Sequence, residues 1–409
     1  MASPTRSEAA AGLPRTVKLF GAVSLLNDFA SEMIYPLLPA FVTGTLGGGP
    51  QALGALDGAA EFASALVKFA AGRLADRRSR RGPLVILGYA IAVLVRPVIA
   101  LTAAAWQVIG LRVVDRIGKG IRTPPRDALI ADATADELRG RAFGLQRGLD
   151  HAGAVLGPLV AWWLLASHRA DVRVVIGWSL APGVVVLVLA VWAVGRSGGQ
   201  AVGVIDTRSP IAPSPTARPP VRQTALYAIA AFYLLRIPET LVILRAQQLG
   251  VAVAVVPLLW AAVHVVKASS SFVGGSWSDR LGARRTMWLG WVCYAPLAAG
   301  MALAQSAAQA WGLFLALGVV AGLTESPERA LVAQSAGGRQ GSGFGVYHGA
   351  TGLAALLGGV ALGVVYQSGG GPLAFGVSAA GGVALALLWP VLASRTNREG
   401  RDSCECARL

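Results

Sequence analysis

Twelve apolar stretches, each long enough to cross a membrane, follow one another along this chain with only short polar gaps between them. They lie near 17–43, 52–72, 82–104, 106–132, 141–166 and 173–195, then near 223–248, 251–277, 284–305, 310–335, 341–367 and 372–394. A helix rising about 1.5 Å per residue needs about 20 residues to span about 30 Å of hydrocarbon, so each stretch suffices for one crossing. Composition closes the alternative. Of 409 residues 54% are hydrophobic and 51 are glycine, while Asp, Glu, Lys and Arg together reach 14%, against about 25% in soluble proteins. A soluble chain of this length would divide into cores each wrapped in charge, and that charge is missing. The sequence predicts an all-α membrane protein of twelve transmembrane helices and excludes a soluble enzyme.

A net charge of +15 is also the mark of nucleic-acid binders, and its distribution decides between the two. Basic residues gather in every second gap: Arg73, Arg77, Arg78, Arg80 and Arg81, then Arg139 and Arg141, then Arg196, Arg208, Arg218 and Arg222, then Arg280, Arg284 and Arg285, then Arg339. The intervening gaps hold only Arg169 and Arg173. Such alternation orients a membrane protein and predicts both termini on the cytoplasmic side of an inner membrane, with lipid and not nucleic acid as the macroscopic partner. Met1 to Lys18 is polar and Ala-rich and leads into a stretch too long for a signal core, so no cleaved leader is expected. Cys293 lies in an apolar stretch and Cys404 and Cys406 in the polar tail. Neither a disulfide framework nor a metal site follows, and no cofactor is expected.

The chain repeats itself. Gly72-Arg-Leu-Ala-Asp76-Arg77 returns as Gly275-Ser-Trp-Ser-Asp279-Arg280 at an offset of 203, and Pro125-Arg-Asp-Ala-Leu-Ile-Ala as Pro327-Glu-Arg-Ala-Leu-Val-Ala at 202. Phe143-Gly144 and Gly157 return as Phe344-Gly345 and Gly358 at 201. Between the copies, 198–222 carries Pro210, Pro213, Pro215, Pro219 and Pro220, a linker composition. The expected division is two pseudo-symmetric six-helix bundles, 1–197 and 223–394, joined by a cytoplasmic linker 198–222 and followed by a tail 395–409. Duplicated bundles of this kind place a binding site between them near the bilayer midplane, which rocking opens to either side in turn.

These motifs carry a resemblance. The gap after the second stretch holds Gly72, Leu74, Asp76, Arg77, Arg80 and Arg81 in the spacing G-x-L-x-D-R-x-G-R-R, and the sequence resembles the major facilitator superfamily of secondary transporters over nearly its whole length. Ser79 stands where that family usually has Gly, and the second copy restores it as Gly282 while replacing the leucine with Trp277. Arg112, Gly118, Gly120 and Pro124 look like the family's fourth-helix pattern. Gly153-Ala-Val-Leu-Gly157-Pro158 is similar to a helix-packing motif of its antiporters, with Ala161 and Trp162 in place of the usual trailing glycines. The resemblance implies a gate in which Asp76 caps a helix of the opposite half while Arg77 and Arg81 reach the carboxylate Asp132, with Gly72, Asp279 and Arg280 belonging to the same latch. Arginines that merely set topology are compatible with it, but topology needs no acid at Asp76.

A charge within the hydrocarbon costs several kcal/mol unless paired or hydrated, which makes every intramembrane ionisable residue a candidate. Asp28 and Glu32 share a face of the first stretch, about 16 and 22 Å along it from Val17. Pro36 and Pro39 follow, breaking the helix where it can line a cavity. These carboxyls are candidates for carrying a proton; the alternative makes them partners of nearby arginines. The fourth stretch places Arg112, Arg116 and Lys119 on one face and Asp115, Lys119, Arg122 and Arg126 on an adjacent stripe. Five cations there suit an anionic substrate, gripped by Arg. The alternative is an internal ion-pair network, with Asp115 paired to Lys119 along the helix and Asp28, Glu32, Asp57, Glu61 and Asp150 supplying the remaining acids. Later candidates are Arg236 and Glu239 flanking Pro238, His264 as a relay or a packing residue, Lys267 beside it, and the Glu325, Glu328 and Arg329 group.

Lys119 lies in Arg-Ile-Gly-Lys-Gly, which lacks the first glycine and the Ser or Thr of a phosphate loop, and no H-E-x-x-H or G-x-S-x-G occurs. The expectation is therefore not an enzyme but a monomeric alternating-access transporter of a small organic solute. Proton-coupled efflux is preferred to its alternatives, symport of an organic anion and a non-transporting sensor or scaffold.

Overall fold

A computed structural model describes residues 13–75, 77–134, 138–168, 170–200, 223–336 and 340–406, and among these there is helix and no strand. In the first half of the chain the helices are α1 (Arg15–Ile34), α2 (Leu38–Ala40), α3 (Pro50–Ala75), α4 (Arg78–Val98), α5 (Ala105–Asp132), α6 (Arg139–His168), α7 (Val172–Trp178) and α8 (Leu180–Gln200). In the second half they are α9 (Gln223–Leu235), α10 (Glu239–Gln248), α11 (Val256–Leu281), α12 (Ala283–Leu303), α13 (Ala307–Ala336) and α14 (Gln340–Cys406).

Breaks occur where the sequence withdraws a hydrogen bond or supplies a glycine. After α1 the path tightens into a 3₁₀ turn at Tyr35–Leu37, which contains Pro36, and loosens into a π turn at Phe41–Thr45 just after Pro39. Pro238 ends the run from α9, and the groups it frees are taken up internally. The amide of Ile237 donates to the Tyr294 hydroxyl at 2.9 Å, and Ser378 donates to the Leu235 carbonyl at 2.6 Å. Gly370, at φ 78°, divides α14. Gly282, at φ 86°, joins α11 to α12, whereas Ser79 of the first copy lies inside α4 with ordinary helical backbone. Only the second copy needs a glycine there, which accounts for the serine.

Among the described residues, eight helical stretches are long and apolar enough to cross a membrane, namely 79–101, 142–167, 172–196, 224–248, 253–278, 283–303, 307–329 and 345–391. At about 1.5 Å per residue, 345–391 is about 70 Å long, about twice the hydrocarbon thickness. The long helices missing from the set are α1, α3 and α5, which carry Asp28, Glu32, Asp57, Glu61 and the charges from Arg112 to Asp127. Side chains such as Leu101, Trp106, Val188, Leu303 and Leu387 are exposed on the outer surface, as lipid-facing residues are.

Close helix contacts recur between the halves. A side-chain carbon at Gly157 would strike the Phe29 backbone, and one at Gly358, 201 residues on, would strike that of Leu234. The contact of Gly88 with Arg122 returns as Gly290 with Thr324, and that of Gly120 with Val67 as Gly322 with Ser270. The sequence repeat is thus a packing repeat. Across the halves, α3 lies along α14, with Gly54 against Gly359, Gly58 against Leu356, and Gly352 against Ala65 and Phe62.

Two departures from expectation concern the ends of helices. α8 continues to Gln200, into the segment expected as linker, and 201–222 lie outside the described residues. The polar tail from 395 remains helical to Cys406, since nothing between Ser394 and Arg398 breaks the ladder and Gly400 alone does not.

Candidate functional site

The helix breaks after α1 and before α10 bring polar groups of the two halves face to face. Tyr35 donates to Asp57 Oδ1 at 2.9 Å, and Asp57 Oδ2 accepts from the Thr240 hydroxyl at 2.8 Å and its amide at 3.1 Å. Because Thr240 opens α10, its amide is one that no preceding turn satisfies, and a carboxylate from the other half takes it. Thr240 also donates to the Leu53 carbonyl at 3.2 Å. This closes one end of the interface between the halves.

One turn inward, Glu32 Oε2 accepts from Trp260 Nε1 of α11 at 3.0 Å and lies 3.9 Å from His264 Nε2. Trp260 packs on Tyr35 with centroids 5.0 Å apart, and Lys267 Nζ sits over the Trp260 ring at 5.1 Å. Lys267 also pairs with Glu239 at 2.5 Å. Asp28, a turn from Glu32, has a different partner and accepts from Asn27 Nδ2 at 2.9 Å. Neither His264 nitrogen has a hydrogen-bond partner among the described residues.

The charges of α5 do not form the pairing expected along the helix. Asp115 is 1% exposed and turns from Lys119 toward α4, where Arg96 Nε reaches Oδ1 at 2.9 Å while Arg112 Nη1 holds Oδ2 at 3.1 Å. Arg96 also donates to the carbonyl and side-chain oxygens of Asn27 at 3.0 and 3.1 Å, tying α1 into the triad. Arg112 rests over the Tyr35 ring at 5.0 Å, with Nε and Nη2 buried and unbonded among the described residues, as is Arg116 Nε. Nor do the acids expected to neutralise the remaining cations do so directly. Asp57 and Glu32 take neutral donors, and Asp150 accepts from Gln146 at 2.6 Å. Glu61 is exposed within the field of Arg116, Lys68 and Lys119, without an ion pair under 4 Å among the described residues.

Arg122 is turned out of this group, donating to the Gly88 carbonyl at 3.3 Å and lying over Tyr89 at 4.8 Å. Arg126 pairs with Asp127 at 2.9 Å and reaches Ser24 at 3.1 Å, where Gln146 also donates. At the end bearing the loop motif, Arg81 holds Asp132 at 2.5 Å and donates from Nε to the Ala75 carbonyl at 2.7 Å. Gly72 has open space around it, and Arg77 and Arg280 are exposed. Asp76 and the Asp279 side chain lie outside the described residues. Gly153 and Gly157 bring α6 against the α1 backbone at Leu25 and Phe29, one turn from Pro158. Between α6 and α11 a groove of about 410 Å³ opens along Gly148, His151, Val155, Val265 and Ala268.

Sequence reasoning missed Arg96, Tyr35, Thr240 and Trp260. For Arg96 the signal was present, a lone cation inside an apolar stretch. For the other three there was none, since a neutral residue becomes a site residue only through what faces it.

The profile of the Major Facilitator Superfamily matches residues 20–244 and again 224–403. An uncharacterized MFS-type transporter of Methanocaldococcus jannaschii is 27% identical over 350 residues, covering 84% of this chain and 86% of its own. Multidrug resistance protein MdtH of Photorhabdus laumondii is 30% identical over 142 residues, 35% of each chain. Among solved structures, the nucleoside transporter NupG superposes with a TM-score of 0.72 at 12% identity, over 93% of this chain and 99% of its own. A bacterial homolog of the human lysosomal transporter Spinster, inward-facing and unoccupied, gives 0.68 at 16% over 96% of each. With the profile spanning nearly every described helix, this multi-pass membrane protein belongs to the major facilitator superfamily of transporters.

Proposed function

We propose that the chain exports a small organic solute across a prokaryotic inner membrane in exchange for protons, with Glu32 as the coupling carboxyl and Asp28 assisting it. One contact carries the reading. Glu32 of the first half is held by Trp260 and faces His264 of the second, so a proton on Glu32 alters a bond that joins the two halves. Likeness to MdtH supports the efflux direction. Counting 345–391 as two crossings and adding α1, α3 and α5 gives twelve transmembrane helices, in bundles 1–197 and 223–394 around a linker 198–222. The Tyr35–Asp57–Thr240 contact then closes the outer face. The cytoplasmic face, with both termini, carries the latch of Asp76, Arg77, Arg81 and Asp132 and its second copy at Asp279 and Arg280. Arg116, Lys119, Asp150, Arg236, Glu239, His264 and Lys267 line the path, and a single chain suffices.

A second reading, uptake of an organic anion, is favoured by one observation: the unbonded N–H groups of Arg112 and Arg116 would suit a carboxylate. Charge movement by purified protein in liposomes, challenged first with pooled organic cations and then with pooled organic anions, separates the two. Cation-evoked currents that Glu32→Gln abolishes support exchange. Currents evoked by anions alone give the site to Arg112 and Arg116, and cation currents undiminished in Glu32→Gln remove Glu32 from the coupling step.

A further inference from the structure

The second half of the chain contains a buried carboxyl that the proposed transport cycle does not use. Glu328 of α13 is 1% exposed. Its Oε2 accepts from the hydroxyls of Tyr347 at 2.9 Å and Tyr233 at 3.2 Å, while Oε1 is buried with no partner among the described residues. No cation lies within 4 Å of it among the described residues, and the neighbouring Arg329 is turned to Glu325 at 3.7 Å. Its counterpart in the first half, 202 residues earlier, is Arg126. Arg126 makes a matching set of contacts, to Ser24 of α1 and through it to Gln146 of α6, just as Glu328 meets Tyr233 of α9 and Tyr347 of α14. Arg126, however, has Asp127 beside it as counter-ion. Glu328 has two neutral donors instead. Two tyrosine hydroxyls do not replace the hydration a carboxylate loses in a medium of low dielectric, whereas a neutral carboxylic acid loses far less on burial.

We propose that Glu328 is a proton-binding site of the second half, held as the neutral acid in this conformation. The proton sits on one carboxyl oxygen while the tyrosines donate to the other. The groups that face it are Tyr233 and Arg236 from the end of α9, Glu325 from its own helix and Tyr347 from α14. Where α12 and α11 meet this stretch of α13 the contacts are uncharged, Gly290 at Thr324 and Gly274 at Gly322. Arg236 lies over the Tyr233 ring at 5.2 Å, one residue contact from the carboxyl and without a carboxylate within 4 Å among the described residues. It is the cation placed to neutralise Glu328 once the proton leaves to water, and it stands at the break before α10. Release of the proton is thereby tied to rearrangement of that break.

The test needs no substrate, so it stands or falls apart from the export reading. Infrared spectra of full-length protein in lipid nanodiscs at neutral pH are compared between wild type, Glu328→Gln and Tyr347→Phe. A protonated-carboxyl stretch present in wild type, lost in Glu328→Gln, and moved to higher frequency but retained in Tyr347→Phe is the expected result. Should Glu328→Gln fail to fold, the Tyr347→Phe shift decides by itself, because that variant removes one donor and leaves the acid. A carboxyl stretch identical in wild type and Glu328→Gln, or unmoved in Tyr347→Phe, overturns the proposal.

Discussion

Neutralising Asp115 should destabilise this protein more than removing Arg112, one of the two arginines that it binds. Arg96, Arg112 and Asp115 are 4%, 2% and 1% exposed, and the two oxygens of Asp115 are divided between the two guanidinium groups. The triad carries one net positive charge. Asp115→Asn raises that to two like charges with no counter-ion and turns an amide N–H toward one of the donors. Stripping a buried ion of its partner costs about 3–5 kcal/mol, or about 2 to 3.5 orders of magnitude in the unfolding equilibrium. Arg112→Met leaves the Arg96–Asp115 pair neutral and intact, and should cost about 1–2 kcal/mol for one lost charged hydrogen bond. Combining the two restores the wild-type net charge, so the double variant should be more stable than Asp115→Asn alone. The assay is equilibrium unfolding by SDS in mixed micelles, with far-ultraviolet ellipticity as the readout. Should Asp115→Asn cost no more than Arg112→Met, or the double variant be the least stable of the three, the charge-balance reasoning is refuted.

Thr240→Val removes the one hydroxyl proton that Asp57 and Leu53 share at the closed end, a hydrogen bond to a charged group worth about 1.5–3 kcal/mol. It should shift the protein toward its other state by about tenfold or more, read as faster thiol labelling of a cysteine placed at Leu53. Gly157→Val drives a side chain into the Phe29 backbone and should cost about 1–3 kcal/mol, whereas Gly110→Val, with nothing within 4 Å, should stay within about 0.5 kcal/mol; comparable thermal shifts in detergent for the two would contradict the packing account. Trp260→Phe keeps the ring on Tyr35 but loses the indole donor to Glu32. It should reduce proton-driven transport while sparing substrate binding, and unchanged driven transport would show that the bond to Glu32 is dispensable.

The helical plan was legible because hydrocarbon thickness imposes a length and proline and glycine impose the ends. The stretch at 106–132 became Ala105–Asp132, and the junction expected at 367–372 became a turn at Gly370. Partner choice was not legible. Asp115 and Lys119 have good spacing on an isolated helix, yet Arg96 approaches from α4, and a buried acid takes the guanidinium it can reach from two sides. Asp28 and Glu32 were read as one pair from their spacing. They are a pair on the helix only, for one meets Asn27 within α1 and the other crosses to α11.

The repeated glycine contacts bear on how such a chain can diverge after duplication. Opposite the glycines stand Phe29 and Leu234, Arg122 and Thr324, Val67 and Ser270, unlike residues in every case. What touches the glycine is largely backbone or the root of a side chain, which every residue possesses. Each contact therefore constrains heredity on one side only. The glycine is fixed, and its partner is at liberty to become a cation in one copy and a hydroxyl in the other. Two halves built this way can keep one architecture while exchanging almost every chemical group within it.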